Sequence, residues 1–122
     1  MRILIIEDET ELLQDIAKGL TLKGYVVDQA DNGKAGCQMA LDEEYDLVVL
    51  DLNLPEMDGF SILKELRREY PQTKVLILSA NSELDSKLSG FELGASDYLP
   101  KPFHFADLEV RIRALLNRKF IQ

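Results

Sequence analysis

The chain has 122 residues, 46% of them hydrophobic, and this length and composition suit one globular domain with a core of its own. Its formal net charge of -8 argues against a domain that grips nucleic acid phosphates by itself. The single cysteine and the single histidine, Cys37 and His104, exclude an internal disulfide and a soft-metal cluster.

The first part of the chain alternates short apolar runs with segments of helical periodicity. Residues 3–6 predict a buried first strand, and the carboxylates that follow rule out a signal peptide or a membrane span. Apolar residues at helical spacing then predict a first helix that ends near Gly24. A less apolar strand over 25–28 is expected at a sheet edge, and a modest helix follows over 33–42. We therefore expect a soluble, cytoplasmic protein.

The second part repeats this alternation. Residues 46–50 predict a third strand, and apolar spacing over 60–70 predicts the helix after it. Residues 75–78 form a fourth strand that is apolar throughout, and a fourth helix runs to Gly94. A brief fifth strand is centred on 98–99, and a last helix with one apolar face ends the pattern.

Five alternations of strand and helix, with three strands apolar on both faces, are typical of a parallel sheet covered by helices on each side. The predicted fold class is therefore α/β, a five-stranded doubly wound parallel sheet with five helices. In such open sheets the functional crevice lies outside the carboxyl ends of the strands.

Polar side chains follow four of the predicted strands. Glu7 and Asp8 end the first strand, Asp51 the third, Ser79 the fourth and Lys101 precedes a proline after the fifth. Each of these residues alone is more often a turn or capping residue, because Asp and Ser form local hydrogen bonds there. Their joint placement at one edge of the sheet points instead to a binding or catalytic site.

Carboxylates dominate this predicted site. Three of them in one crevice repel one another unless a cation is present, and hard oxygen ligands suit Mg²⁺. Asp8 and Asp51 are the candidate direct ligands, and Glu7, with its longer side chain, is expected to act through a bound water. Asn53 is a candidate for a further ligand through its backbone carbonyl.

The remaining groups suit an anion. Lys101 supplies a point charge, while the Ser79 hydroxyl and the backbone amide of Ala80 can donate hydrogen bonds to phosphoryl oxygens. Asp51, between metal and lysine, could then attack phosphorus in line and form an acyl phosphate. Asp51 is therefore the candidate nucleophile, and a strand-capping aspartate is the alternative.

Four motifs occur in order and carry a resemblance to a known family. They are Glu7-Asp8, residues 51–59 (DLNLPEMDG), residues 78–80 (LSA) and residues 94–103 (GASDYLPKPF). From residue 2 to about 118 the chain resembles the receiver domain of bacterial two-component response regulators. Glu7 and the stretches 90–98 and 111–115 are most similar to the OmpR/PhoB branch, whose members carry a winged-helix DNA-binding domain.

The resemblance implies a mechanism. The sheet order would be the flavodoxin-like 2-1-3-4-5, and Asp51 would accept phosphate from a sensor histidine kinase, with Mg²⁺ as cofactor. The residues named above would hold the metal and the phosphoryl group. Ser79 and Tyr98 would form a switch, the hydroxyl moving toward the phosphate as the aromatic ring turns inward. The Lys101-Pro102 bond is cis in the family.

The resemblance also implies a homodimer of the phosphorylated chain, formed by the fourth helix, fifth strand and last helix. Charged residues with suitable signs fall at matching positions: Lys87, Glu92, Asp97, Asp107, Arg111 and Arg113. Ser96 departs from the acidic residue usual in the family. A solvated charged face, with no partner, is the alternative interpretation.

The resemblance implies that residues 1–118 form the receiver domain and that 119–122 begin a linker to a DNA-binding output domain outside this chain. DNA would be contacted only through that domain, and no membrane partner is expected. The chain would be no enzyme apart from catalysing its own phosphorylation and dephosphorylation. A stand-alone receiver that acts through protein contacts is an alternative.

Two further function classes share parts of this pattern. Aspartate-nucleophile phosphatases also use a strand-end carboxylate with Mg²⁺, but they generally need an acidic residue where this chain has Asn53. A flavodoxin-like electron carrier would need a first loop rich in hydroxyls and amides, whereas Glu7-Asp8-Glu9 would repel its flavin phosphate. Both are disfavoured.

Overall fold

The computed structural model describes residues 1–80 and 84–117, without the side chains of 84–86. The predicted linker start at 119–122 lies outside this range. Within it, five strands alternate with five helices: β1 (Arg2–Ile6), α1 (Thr10–Leu22), β2 (Val26–Ala30), α2 (Gly33–Asp42), β3 (Leu47–Asp51), α3 (Gly59–Glu69), β4 (Lys74–Ser79), α4 (Leu84–Glu92), β5 (Asp97–Pro100) and α5 (Phe105–Leu116). None of the described helices is long and apolar enough to cross a membrane.

All strand pairs are parallel and the sheet order is β2-β1-β3-β4-β5, which confirms the predicted fold. The order reverses between β1 and β3, which are direct neighbours with Ile6 opposite Leu50. The chain therefore leaves the sheet on opposite sides after these two strands. The crevice between their carboxyl ends is the place where ligands bind in this class of fold.

The core has one cluster on each face of the sheet. Alternate residues of β1 point to opposite faces, so Leu4 and Ile6 pack with residues of α2 and α3, while Ile3 and Ile5 pack with residues of α1 and α5. Side chains of this size, when fully buried, each contribute roughly 1.5–3 kcal/mol. Both faces of the central strands are thus covered, and polar residues are confined to the strand ends.

Several strand boundaries differ from the predicted ones by one or two residues, and the carboxyl ends of β2 and β3 matter most for the site. β2 continues to Ala30 because its pairing with β1 extends to Ile6 opposite Ala30. β3 includes Asp51, which lies opposite Leu78 of β4. The functional candidate is therefore the last residue of the strand itself, held by the sheet, and does not belong to the loop after it.

Candidate functional site

Three carboxylates meet at the carboxyl ends of β1 and β3. Glu7, Asp8 and Asp51 each place one carboxylate oxygen within 4.8 Å of the others. Because β1 pairs with β3, Asp51 lies next to Glu7 and Asp8 although more than forty residues separate it from them in the chain. Glu7 and Asp51 are 0% and 1% exposed, whereas Asp8 is exposed. The cluster thus has a buried floor and one solvent-facing member.

The Asp51 carboxylate is fixed by two contacts. Its Oδ1 accepts a hydrogen bond of 3.0 Å from the backbone N–H of Asn53, and its Oδ2 lies 3.1 Å from Nζ of Lys101. The side chain of Asn53 is exposed. The structure therefore brings Asp51 and Lys101 together as the sequence predicts, while the predicted role of the Asn53 carbonyl stays a prediction.

Lys101 reaches this cluster from the loop after β5. Its backbone N–H donates to the carbonyl of Ser79 (2.8 Å), and the peptide bond to Pro102 is cis, as the resemblance implied. The Lys101 ammonium lies 2.8 Å from Oε1 of Glu7 and 3.2 Å from Oε1 of Glu9, in addition to Asp51. Burial disfavours its charged form, but the carboxylates of Glu7 and Asp51 outweigh this and raise its pKa.

The electrostatics of Glu7 fit a bound cation. Burial raises the pKa of Glu7 to about 7, and the negative charge of Asp51 adds to this, while Lys101 and the N–H of Glu9 oppose it. Its Oε2 accepts a 3.0 Å hydrogen bond from the backbone N–H of Glu9, and its Oε1 is buried. The partner of that oxygen is the Lys101 ammonium, 2.8 Å away. A hard divalent cation would satisfy this oxygen-rich cluster.

The predicted phosphoryl-binding residues lie beside Asp51 on the next strands. Ser79 ends β4 and is fully buried, and Ala80 follows it at the surface. Ser79 lies opposite Pro100 of β5, which directly precedes Lys101. The sheet therefore gathers Ser79, Ala80 and Lys101 at the edge that also carries Asp51.

Tyr98, the predicted switch aromatic, is 4% exposed and belongs to the core cluster that also contains Ile77 and Leu63. Its ring is therefore turned inward in this structure. The coupling of this ring to Ser79 stays a prediction.

Two glycines set the shape of the loop after Asp51. A Cβ on Gly59 would lie 2.7 Å from the carbonyl oxygen of Asp51 and 2.7 Å from Cα of Leu52. A Cβ on Gly33 would overlap the carbonyl oxygen of Met57. Helices α2 and α3 thus begin in direct backbone contact with this loop. Of these two glycines, only Gly59 belongs to a sequence motif; no sequence pattern indicated a structural role for Gly33.

The residues predicted for a dimer face are at the surface of α4, β5 and α5. Lys87, Glu92, Asp107 and Arg113 are exposed, and Asp97 and Arg111 are half-buried. The structure pairs Arg111 with Asp97 (3.1 Å) and with Asp107 (2.8 Å) inside one chain. Leu88, Phe91 and Val110 are exposed apolar residues on the same elements.

Glu9 is the site residue that sequence reasoning missed as a partner of Lys101. In the sequence, Glu9 is noticeable only as the third acidic residue of Glu7-Asp8-Glu9, a run that argues against a flavin site but does not indicate a contact with Lys101. Glu9 also borders a cavity of about 440 Å³ at the mouth of the site, lined by Leu12, Ala80, Lys101, Pro102 and Phe103. A cavity of about 380 Å³ at the opposite end of the sheet, beside Tyr45 and Thr73, has no part in this cluster.

Comparison with known proteins gives a consistent result. Residues 3–113 match the response regulator receiver domain family. The chain is 48% identical over 118 residues to "Probable transcriptional regulatory protein SilR" of Salmonella typhimurium, an alignment that covers 97% of this chain and 52% of SilR. The chain thus spans about half the length of the curated relatives it matches.

Solved structures agree with this family. The non-phosphorylated HemR receiver domain of Leptospira biflexa superimposes with a TM-score of 0.92 at 30% identity, covering 99% of this chain and 98% of HemR. The response regulator TrrA of Thermotoga maritima, solved in complex with Mg²⁺-BeF, has a TM-score of 0.84 at 32% identity, with 93% and 97% coverage.

Proposed function

This chain belongs to the response regulator receiver domain family, and from that premise we propose that it is a phosphoacceptor switch in which Asp51 takes a phosphoryl group from a histidine kinase. One observation carries the proposal: the buried Asp51 carboxylate lies beside an acidic pair and 3.1 Å from the ammonium of Lys101. A buried carboxylate so placed is poised as a nucleophile toward a dianion.

Metal binding is the first part of this mechanism. Asp8, Asp51 and the carbonyl of Asn53 would hold Mg²⁺, with Glu7 acting through a water. A bound ion would neutralise charge on the phosphoryl oxygens. The close approach of three carboxylates, two of them buried, supports a divalent cation here. The Mg²⁺-BeF complex of the related TrrA supports magnesium in particular.

Phosphoryl transfer is the second part. An Asp51 oxygen forms the new bond to phosphorus while the bond from phosphorus to the donor breaks in line. Lys101, Ser79 and the N–H of Ala80 hold the phosphoryl oxygens. The ammonium of Lys101 exchanges carboxylate partners for these oxygens, so part of the interaction is gained only when the anion is present.

A small phosphodonor tests this mechanism. After incubation with Mg²⁺ and acetyl phosphate, the intact mass of the chain should rise by one phosphoryl group, because the acid-rich site can accept a dianion only when a cation offsets its charge. Chelation of Mg²⁺ should slow the gain by at least about a hundredfold. A gain of the same rate in the presence of excess chelator would contradict the proposed site.

The output of the switch is also a proposal. Relatives such as SilR are named as transcriptional regulatory proteins and are about twice as long as this chain. We propose that an output domain contacts DNA in the full-length protein and that phosphorylation favours a homodimer through α4, β5 and α5. The exposed Leu88 and Phe91 and the adjacent charged residues support such a face.

Arg111 should matter to this dimer. Its guanidinium already lies against Asp97 and Asp107, so both carboxylates are positioned to exchange it for an arginine of a second copy. Arg111→Ala should weaken dimerisation of the phosphorylated chain by about three- to tenfold, the effect of roughly 1 kcal/mol from partly exposed ion pairs. Sedimentation of the phosphorylated proteins measures it.

The matched control is Arg68→Ala, since Arg68 is exposed on α3 and pairs only with Glu65 among the described residues. Its dimerisation constant should equal that of the wild type. Equal weakening by both substitutions would mean that overall charge, and not the α4-β5-α5 face, governs association.

A further inference from the structure

Glu9 contacts the site from its solvent side. Besides Glu7, the ammonium of Lys101 contacts two carboxylates of contrasting exposure: Asp51, whose side chain is 2% exposed, at 3.1 Å and Glu9, whose side chain is 65% exposed, at 3.2 Å. A group attacked in line by Asp51 must leave away from it, toward the mouth of the site. Glu9 and the cavity beside Phe103 border that mouth. The Glu9 carboxylate is thus close to where the donor departs.

The local structure gives Glu9 no other polar role on its helix. It occupies the N-cap position of α1, where Ser, Thr, Asp or Asn normally accepts a hydrogen bond from the first turn. The Glu9 side chain makes no such bond. Its charge interacts favourably with the helix dipole, but an aspartate would supply both this charge and the missing cap hydrogen bond. A residue that is poor for its structural position and pairs with the site lysine is a candidate for function.

The charge of the leaving group decides what this carboxylate does. When Asp51 takes the phosphoryl group from acetyl phosphate, the O–P bond breaks and its electrons leave on acetate, an anion. When it takes the group from phosphoramidate, whose nitrogen carries the extra proton, the N–P bond breaks and neutral ammonia leaves. Negative charge grows at the mouth in the first reaction, and positive charge disappears there in the second.

We propose that Glu9 sets the choice of phosphodonor, favouring donors whose phosphoryl group is bound to a protonated nitrogen over acyl phosphates. This inference rests on the proposed phosphoacceptor function of Asp51. A negative charge beside the path of the leaving group opposes a developing anion and attracts a cationic nitrogen. Glu9 is therefore a specificity-determining residue, while the nucleophile and the phosphoryl-binding groups remain those described above.

The test compares two donors on one protein. Rates of phosphoryl gain are measured by rapid quenching and intact mass for wild type and Glu9→Gln, with acetyl phosphate and with phosphoramidate, at a Mg²⁺ concentration where doubling it leaves the rate unchanged. In Glu9→Gln the acetyl phosphate rate should rise about three- to tenfold, and the phosphoramidate rate should stay or fall. Their ratio should change by at least about fivefold, and Glu9→Lys should change it further in the same direction.

Glu44→Gln is the control, because Glu44 is exposed and precedes β3 at the opposite end of the sheet. Its donor ratio should equal that of wild type. If Glu9→Gln and Glu9→Lys change both rates by one factor, or change neither, Glu9 does not select the donor. Failure of the wild type to gain phosphoryl from either donor would instead overturn the proposed function, and this inference with it.

Discussion

Asp51→Asn should lose phosphoryl acceptance, with a rate at least about a hundredfold below that of wild type, since removal of a nucleophile has effects of this size or larger. The amide nitrogen of asparagine cannot form an acyl phosphate. Its oxygen can still accept the hydrogen bond that the N–H of Asn53 donates to Oδ1, so the strand end should keep its conformation. Intact mass after incubation with Mg²⁺ and acetyl phosphate measures the loss.

Asp42→Asn is the matched control. Asp42 is exposed at the end of α2, where it accepts a hydrogen bond from Gln38, and the substitution removes the same charge. This variant should gain phosphoryl at the wild-type rate, and both variants should show wild-type circular dichroism. Equal phosphoryl gain by Asp51→Asn and wild type would place the acceptor at another residue and refute the proposed role of Asp51.

The sequence was sufficient to predict the sheet and the edge at which the site lies. Apolar runs identify β1, β3 and β4 as buried strands, and parallel strands necessarily bring their carboxyl ends to one edge. Asp51 and Lys101 could therefore be expected to meet, and their 3.1 Å contact confirms it. Residue chemistry and the family motifs together led to the roles proposed for these residues, which the distance alone does not test.

The sequence could not show which of the acidic side chains are buried and which are exposed. Glu7 and Asp8 are adjacent, yet Glu7 is buried against Lys101 and Asp8 faces solvent, because neighbouring residues at a strand end point in different directions. The contact of Glu9 with Lys101 was also invisible, since a long, exposed side chain at a helix start has many conformations and no periodic signal.

Sequence patterns also miss the places where two backbone segments approach each other closely. Gly33 and Gly59 both begin helices, where glycine is unremarkable as a residue type. Only the three-dimensional structure shows that a Cβ at either position would overlap backbone atoms of the segment from Asp51 to Met57. Helix packing onto the loop after Asp51 therefore depends on two residues that have no side chain.

Gly59→Ala should destabilise the fold by about 1–3 kcal/mol, which corresponds to a fall in melting temperature of roughly 5–15 °C for a domain of this size. Its new methyl group would meet the carbonyl oxygen of Asp51 and Cα of Leu52, both at 2.7 Å, and neither backbone atom can rotate away. This overlap can be relieved only if the start of α3 moves away from the end of β3. The loss should exceed the gain in helix propensity from glycine to alanine, and thermal unfolding followed by circular dichroism measures it.

Gly90→Ala separates this steric effect from the substitution itself. Gly90 lies within α4, and the nearest atom to its added Cβ is the flexible end of Ile77, Cδ1, at 3.0 Å. A small shift of that methyl group, offset by the helix propensity of alanine, should leave the melting temperature within a few degrees of wild type.

Because Gly59 contacts the residue that carries the nucleophile, Gly59→Ala should also accept phosphoryl more slowly than wild type at temperatures where the variant is fully folded. A Gly59→Ala protein with wild-type melting temperature and wild-type phosphoryl gain would show that the loop after Asp51 yields without cost, and that its close contact with α3 does not hold the acceptor in place.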